Sequence, residues 1–372
     1  MRRFSWTLML LLLTPAMAAT KMTVDQLKQT LTEMKQSGKS DEDVATRLKQ
    51  VELTEELTHS AKTGLLQFLP GELSTEQILI LQGRSAFLPP PAENVPTTAA
   101  PDATAQKAIL GKASDYLNKT YDQLPPFTAS KMISRYQDDV TNTSSSPGLT
   151  VNGPNSYVRL ADADTERVET EKGVEKPGEK DKTNWGQNGQ ISPPAPIPTL
   201  AALFQEASDG GKLTFERWQV VESKNVAVFT FAVDKKKSRY DVAYCCFPKT
   251  DTATGVATMG TFAPVPGEIQ SVTSYRPFKK TVSYHGEFYV NPEDGSILRV
   301  ITYAELKPTD YVHLEAVRTD YSPMVVDGKE YVLPLDTVTM NEVVPNGESN
   351  SIAYSARHTL FNVTYANYQM RK

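Results

Sequence analysis

Alternating hydrophobic and polar positions dominate the C-terminal part of the chain and predict antiparallel strands. In the clearest example, an aromatic and β-branched run at 282–290 is joined to a second apolar run at 296–303 by Asn-Pro-Glu-Asp-Gly. Proline presets φ near about −65° and glycine accepts a positive φ, so 291–295 is predicted to be a hairpin turn. Asp327-Gly328 predicts a second hairpin. Together with the other alternating runs, these patterns predict about nine to eleven antiparallel strands.

Helical spacing is concentrated in residues 19–87. Apolar residues recur there at three- and four-residue steps, and hydroxyl side chains stand where helices are predicted to begin, at Thr23, Ser40 and Ser74. Three or four short helices, packed as a small bundle, are expected. The proline-rich stretch 88–102 is incompatible with a helix and predicts a linker to the remaining domain, 103–372.

The domain at 103–372 is predicted to be α+β. Two helices, from Asp102 to about Asp122 and from Leu200 to about Ala207, accompany its strands. A strongly curved antiparallel sheet, or half-open β-barrel, with helices on the concave side would avoid long exposed edges. A two-sheet sandwich is the alternative. Residues near 138–196 are polar and charged, and predict a loop-rich or disordered insertion with one short strand near 157–160.

The N-terminus has the layout of a secretory signal peptide at 1–18. Arg2 and Arg3 precede an apolar run and the small-residue pattern Ala16-Met17-Ala18. A membrane anchor is the alternative, but the run is about half of the roughly 20 apolar residues that a spanning helix needs. We therefore expect cleavage near Ala18, a periplasmic or secreted protein, and no transmembrane segment.

Charge narrows the range of partners. Loss of the two arginines of the signal peptide would change the formal charge from −5 to about −7. A mildly acidic protein is poorly suited to nucleic acid or anionic lipid, so neither is an expected partner.

No constellation of residues in the sequence identifies a reaction. The four histidines are far apart, the cysteines are an adjacent pair, and no nucleophile elbow, phosphate loop, dinucleotide fingerprint or zinc spacing is present. The sequence therefore predicts no catalytic residue, no metal and no cofactor. A hydrolase with an unrecognised site remains a lesser alternative.

Large aromatic residues alternate with polar ones in several predicted strands and could project to one side of the sheet. One interpretation is an ordinary core beneath a helix, and the other is the lining of a concavity that holds an apolar ligand. The candidate lining residues are Trp218, Phe229, Phe231, Tyr284, Phe288 and Tyr303.

Two segments carry a resemblance to a known family. The run 284–299, an aromatic strand, a Pro-containing turn with Gly and an apolar strand with Arg, and the later hairpin 326–334 resemble the periplasmic lipoprotein-carrier (LolA-like) superfamily among secreted bacterial proteins. The resemblance covers roughly 103–365 and implies a half-open barrel that is closed by helices and shelters acyl chains. The helical front, the charged insertion and the cysteines depart from the carriers, and no individual residue is carried over.

The leading hypothesis is an exported, non-catalytic protein that binds a lipid-like or other apolar ligand in the concavity of a curved sheet. The alternative is a structural or interaction module of the cell envelope, in which residues 19–87 dock a protein partner.

Overall fold

The computed structural model describes residues 19–121, 124–138, 157–159, 164–171, 174–175, 200–210, 212–248, 275–343 and 357–371. The signal-peptide prediction at 1–18 lies outside them. The described helices are α1 (Val24–Gln36), α2 (Asp41–Lys49), α3 (His59–Leu66), α4 (Glu72–Ser85), α5 (Ala103–Tyr116) and α6 (Leu200–Gly210). None of these helices is long and apolar enough to cross a bilayer.

Antiparallel pairing dominates the described strands. Their bounds are β1 (Thr20–Met22), β2 (Val51–Leu53), β3 (Phe127–Asp138), β4 (Tyr157–Arg159), β5 (Asp164–Glu171), β6 (Val174–Glu175), β7 (Thr214–Val221), β8 (Lys224–Val233), β9 (Asp241–Pro248), β10 (Tyr275–Thr281), β11 (Tyr284–Val290), β12 (Ile297–Ala304), β13 (Val312–Val326), β14 (Lys329–Val343) and β15 (Arg357–Met370). Eleven of them form one antiparallel sheet in the order β6-β5-β3-β15-β14-β13-β12-β11-β8-β7, with β4 also paired to β3. The fold class is therefore α+β, as predicted.

The front of the molecule, residues 19–87, contains α1 to α4 around a hydrophobic core of its own. The predicted caps at Thr23 and Ser40 are confirmed, because each side chain accepts a hydrogen bond from the backbone N–H three residues later. A short parallel pair, β1 with β2, was not predicted.

The predicted start of a helix at Ser74 is wrong, because α4 begins at Glu72 and Gly71 is its N-cap. Gly71 has no side chain to cap the helix. The carboxylate of Asp41, at the start of α2, accepts hydrogen bonds from the backbone N–H groups of Leu73 (2.9 Å) and Ser74 (3.0 Å) instead. A Cβ at Gly71 would lie 2.4 Å from that carboxylate. Glycine at this position therefore leaves room for Asp41, a residue of α2, to cap α4.

Both predicted hairpins are confirmed. Strand β11 pairs with β12 across the turn that contains Gly295, and β13 pairs with β14 across Asp327 and Gly328, where φ is positive at both residues. Gly295 packs against helix α5, since a Cβ there would lie 2.3 Å from the carbonyl of Lys112. The ammonium of Lys112 in turn donates to the carbonyl of Pro292 at 2.8 Å.

Part of the predicted insertion is ordered. Residues 164–171 form β5, which pairs with β3 from Phe127 to Ile133, within the stretch that the sequence predicts to be loop-rich or disordered. Backbone hydrogen bonds along a sheet edge need no apolar side chains, so a charged run can form a strand. The rest of the predicted insertion, apart from β4 and β6, lies outside the described residues.

Helices cover both faces of the sheet. Helices α5 and α6 share one hydrophobic core with β8 and β11 on one face, which we call the α5/α6 face. On the opposite face, the front face, Ile80 of α4 packs with Tyr136, Val338 and Leu360. Approach is close there, because a Cβ at Gly83 would lie 2.7 Å from the Leu360 side chain.

The proline-rich stretch carries the chain from one face to the other. Residues 88–101, which we call the strap, run from the end of the front to the N-cap of α5 and contact the edge strand β7 through a 3-10 turn at Ala92–Asn94. The strap thereby covers an edge that would otherwise present unpaired backbone groups.

Candidate functional site

Four buried charged residues join the front to the sheet. The guanidinium of Arg299 lies 3.0 Å from Glu56 Oε2 and also pairs with Asp320, its cross-strand neighbour. Arg318 lies 2.7 Å from Glu56 Oε1, off the angle of a hydrogen bond, and 2.7 Å from Asp320 Oδ2. The side chains of Glu56, Arg299 and Arg318 are at most 4% exposed.

Mutual pairing keeps this network ionised. Burial alone would raise the pKa of Asp320, but the charges of Arg299 and Arg318 outweigh burial and lower it to about 2. Burial opposes the charged form of Arg299 too, and the carboxylates of Asp320 and Glu56 raise its pKa nevertheless. Asp320 therefore stays ionised between two arginines, and the side chains of the network contact one another directly.

A second ion pair lies beside the first on the front face. Arg217 donates to both oxygens of Glu287, at 3.0 and 2.9 Å, and the hydroxyl of Tyr289 donates to Glu287 at 2.6 Å. Arg299 stacks over the ring of Tyr289, 5.1 Å from its centroid, and so links the two sets of charges. Burial opposes ionisation of Glu287, yet the hydrogen bonds from Arg217 and Tyr289 lower its pKa.

The strap is fixed above these charges at two points. The backbone N–H of Glu56 donates to the carbonyl of Pro89 at 2.8 Å. The indole N–H of Trp218 donates to the carbonyl of Ala99 at 2.9 Å. Just before the strap, the ring of Phe87 meets that of Tyr303 edge to face, with centroids 5.9 Å apart.

A cavity of about 420 Å³ lies between the strap and the sheet. We call it the strap cavity. Its outer wall is apolar and its floor combines aromatic and charged side chains. It is lined by Glu56, Ala86, Phe87, Leu88, Pro89, Pro90, Val95, Arg217, Glu287, Tyr289, Ile301 and Tyr303.

Five of the six aromatic residues that the sequence proposed as ligand lining lie together on the α5/α6 face. Phe229, Phe231, Tyr284 and Phe288 are at most 3% exposed, and Trp218 packs beside them. Phe231 stacks on Phe288 with centroids 4.5 Å apart, and Phe204 of α6 meets Phe288 at 5.3 Å. The aromatic rings therefore pack against one another on this face.

Tyr303 lies apart from the other five. It projects to the front face, where its ring stacks on that of His285, and it is the one member of the predicted set that lines the strap cavity. Across the described residues its hydroxyl makes no hydrogen bond. Burial, followed by the charge of Glu287, raises the pKa of Tyr303, so the hydroxyl stays protonated at neutral pH.

Buried carboxyl groups also contact the aromatic core of the α5/α6 face. Tyr240, which stacks on Tyr284, donates to Glu315 at 2.9 Å, and Tyr284 donates to Glu206 at 3.0 Å. Burial raises the pKa of Glu315 to about 7, and the hydrogen bond from Tyr240 opposes that shift only in part.

Each histidine lies beside a carboxylate. His59 of α3 is 2.8 Å from Asp336 of β14, and His285 contacts Glu305. His358 lies 3.4 Å from Asp138, and both His313 and His358 lie 3.8 Å from Glu342. Within the described ranges, no three His, Cys, Asp or Glu side chains are grouped so as to hold a metal ion. The side chains of Cys245 and Cys246 lie outside what the structure describes.

Comparison of the chain with known proteins does not assign it to a family. No protein-family model, no curated protein and no solved structure matches the chain. Function must therefore be argued from the site.

Most of the charged residues of the site were missed by sequence reasoning. The one available signal was Arg299, which interrupts the apolar run 297–301, because an arginine inside a buried strand requires a partner. Nothing in the local sequence of Glu56 or Glu287 distinguishes them from exposed glutamates.

Proposed function

We propose that this protein is an exported, non-catalytic binding protein that holds an apolar or lipid-like ligand in the strap cavity. The observation that carries the proposal is the cavity itself, about 420 Å³ with an apolar outer wall. Ligand sites in proteins are typically concave, mostly apolar spaces of about 300 to 1,000 Å³ with a few polar groups. The strap cavity falls within that range of volume, and apolar side chains line it beside three charged ones.

The location differs from the one that the sequence favoured. The aromatic residues of the α5/α6 face pack against one another and against α6, whereas the strap cavity is bounded by side chains that leave space between them. Tyr303 is common to both sites. We therefore place the proposed ligand on the front face, beneath residues 86–95.

The strap also offers a route of entry. One hydrogen bond attaches it to the cavity lining, from the backbone N–H of Glu56 to the carbonyl of Pro89, and a second, from Trp218 to Ala99, holds it outside the cavity. Segments with few backbone hydrogen bonds open at low free-energy cost compared with sheets. Lifting of the strap would admit a ligand without disturbing the strands below.

The remaining elements of the hypothesis stay proposals. Export rests on the pattern at 1–18. A half-open barrel of LolA-like type is supported by the eleven-stranded antiparallel sheet and by the two helices that share one of its faces. Docking of an envelope partner by residues 19–87 stays the alternative, and the described front already uses α3 and α4 to bind the sheet.

A neutral fluorescent probe tests the proposal. N-phenyl-1-naphthylamine should bind the full chain, and Val95→Trp should weaken binding by about tenfold or more, because a Trp at that position occupies cavity space. The matched control is Val325→Trp, since Val325 is also an exposed valine and lies on β13 outside the cavity lining. Absence of binding, or equal binding by the two variants, would refute a ligand site beneath the strap.

A further inference from the structure

We infer that the ligand of the strap cavity is a neutral amphiphile, with an apolar body and one hydroxyl or carbonyl group that hydrogen-bonds to Tyr303. This inference rests on the proposed function and specifies the chemistry of that same site. Three features of the site carry it: balanced charge, the pairing of each charged group, and one uncharged polar group without a partner.

The charges at the cavity floor sum to zero. Three charged residues line the cavity: Glu56, Glu287 and Arg217. Glu56 pairs with Arg299 and Arg318. Asp320 completes the set by pairing with both of the latter arginines. Three cations thus face three anions, and no charge is left over to attract an ionic ligand.

Each of these groups is already engaged. Arg217 uses its Nε on Gln219 and both terminal nitrogens on Glu287, and its Nη2 also donates to the hydroxyl of Tyr289. Glu56 Oε1 lies beside Arg318 but accepts no hydrogen bond. A carboxylate in the ligand would lose its hydration and would compete with Glu287 for Arg217, and an ammonium would compete with Arg318 for Glu56. Uncompensated burial of an ion costs several kcal/mol, by order of magnitude.

Tyr303 supplies the polar contact that such a cavity lacks. Tyr303 lines the space, and among the residues described its hydroxyl has no hydrogen-bond partner. A phenol can donate one hydrogen bond and accept another without carrying charge. It therefore matches a ligand hydroxyl or carbonyl, while Phe87, Leu88 and Ile301 contact the apolar body.

Three probes of one chain length separate the possibilities: 1-decanol, decanoate and decylammonium, each titrated at pH 7.5 against the full chain with bound N-phenyl-1-naphthylamine. We expect 1-decanol to displace the fluorophore at a concentration about tenfold or more below that of either ion. Equal or tighter binding of decanoate or decylammonium overturns the inference and leaves the proposed function standing. If none of the three displaces the fluorophore, the inference fails, while the proposed function is still decided by the binding of the fluorophore itself.

Two substitutions sharpen the test. Glu287→Gln removes one anion and frees Arg217, so decanoate should gain affinity relative to 1-decanol and decylammonium should lose it. Glu330→Gln, at an exposed glutamate on β14, should change none of the three. If the relative affinities of the three probes are the same in Glu287→Gln as in the unmodified chain, the balance of charge does not determine which ligand binds.

Tyr303→Phe removes only the hydroxyl and should weaken 1-decanol by roughly three- to tenfold. Tyr331→Phe is the matched control, because Tyr331 packs on Phe127 away from the cavity and should leave 1-decanol binding unchanged. Retention of full 1-decanol affinity by Tyr303→Phe overturns the assigned hydrogen bond. If a variant fails to fold, the comparison of the three probes on the unmodified chain still decides.

Discussion

The carboxyl group of Glu315 is an unusual component of an aromatic core. It is 4% exposed, and the hydroxyl of Tyr240 donates a hydrogen bond to it on the α5/α6 face. Its pKa is raised to about 7, above the ordinary value of 4.5, mainly by burial. The folded chain therefore binds a proton more tightly than the unfolded chain does, and this group lowers stability as pH rises from about 4.5 to 7.

Glu315→Gln removes this titration and keeps an acceptor for Tyr240. We compare the free energy of unfolding of the variant with that of the parent at each pH. The difference between them should favour the variant by about 3 kcal/mol more at pH 8 than at pH 5. Urea denaturation at the two pH values measures the difference. Glu330→Gln serves as the surface control, and an equal response of the two variants would contradict the assignment.

The side that a single residue faces could be predicted from sequence only in part. Tyr284 and Phe288 were predicted on one face because they are separated by an even number of residues in an alternating strand, and both lie in the same core. Tyr303 was grouped with them and lies on the other face. The run 297–301 is apolar at four of its five positions, so its alternation does not reveal which residues face α5 and α6.

At the level of elements, the hairpin of β11 and β12 is fixed to helix α5 by its turn. Gly295 and Gly328 have the same φ of +79°, but only Gly295 contacts other backbone. The pair therefore separates the cost of a left-handed conformation from the cost of a close contact.

Gly328→Ala should destabilise the chain by about 1 to 2 kcal/mol, because alanine resists positive φ. Gly295→Ala should cost about 1 to 3 kcal/mol more, since its methyl group would overlap the backbone of Lys112. Urea denaturation of both variants measures the difference. Equal losses would show that the turn does not press on the helix.

Elements that are neighbours in sequence were predicted well, and those that meet only in space were not. Local sequence predicts the hairpins at 291–295 and 327–328 from their turn residues, and the helix caps at Thr23 and Ser40 from their hydroxyl side chains. The cap of α4 comes from Asp41, more than thirty residues earlier, and local sequence pointed to Ser74 instead. When the capping side chain belongs to another helix, the sequence around the capped helix terminus does not indicate it.

For the whole molecule, Glu56 is the main charged link between the front and the sheet. Its replacement by glutamine would leave Arg299 and Arg318 with Asp320 as their remaining carboxylate in this network. Removal of one partner from a buried ion network typically costs about 3 to 5 kcal/mol.

We therefore expect Glu56→Gln to lower the free energy of unfolding by several kcal/mol, in the range of about 3 to 5. The control is Glu52→Gln, which breaks the exposed pair with Lys21 and should cost about 0 to 1 kcal/mol. Chemical denaturation of both variants tests the difference. A loss in Glu56→Gln as small as that in the control would mean that the front is held by apolar packing alone.

The position of β15 has a consequence for how the chain is made. This strand is the latest of the sheet in sequence, yet it lies between β14 and β3. Asn367 of β15 follows Ser130 of β3 by 237 residues, which at ribosomal speed is roughly 10 to 50 s of synthesis. Until residues 357–370 emerge, β3 lacks this neighbour, so we expect its open edge to be a site of mispairing in the growing chain.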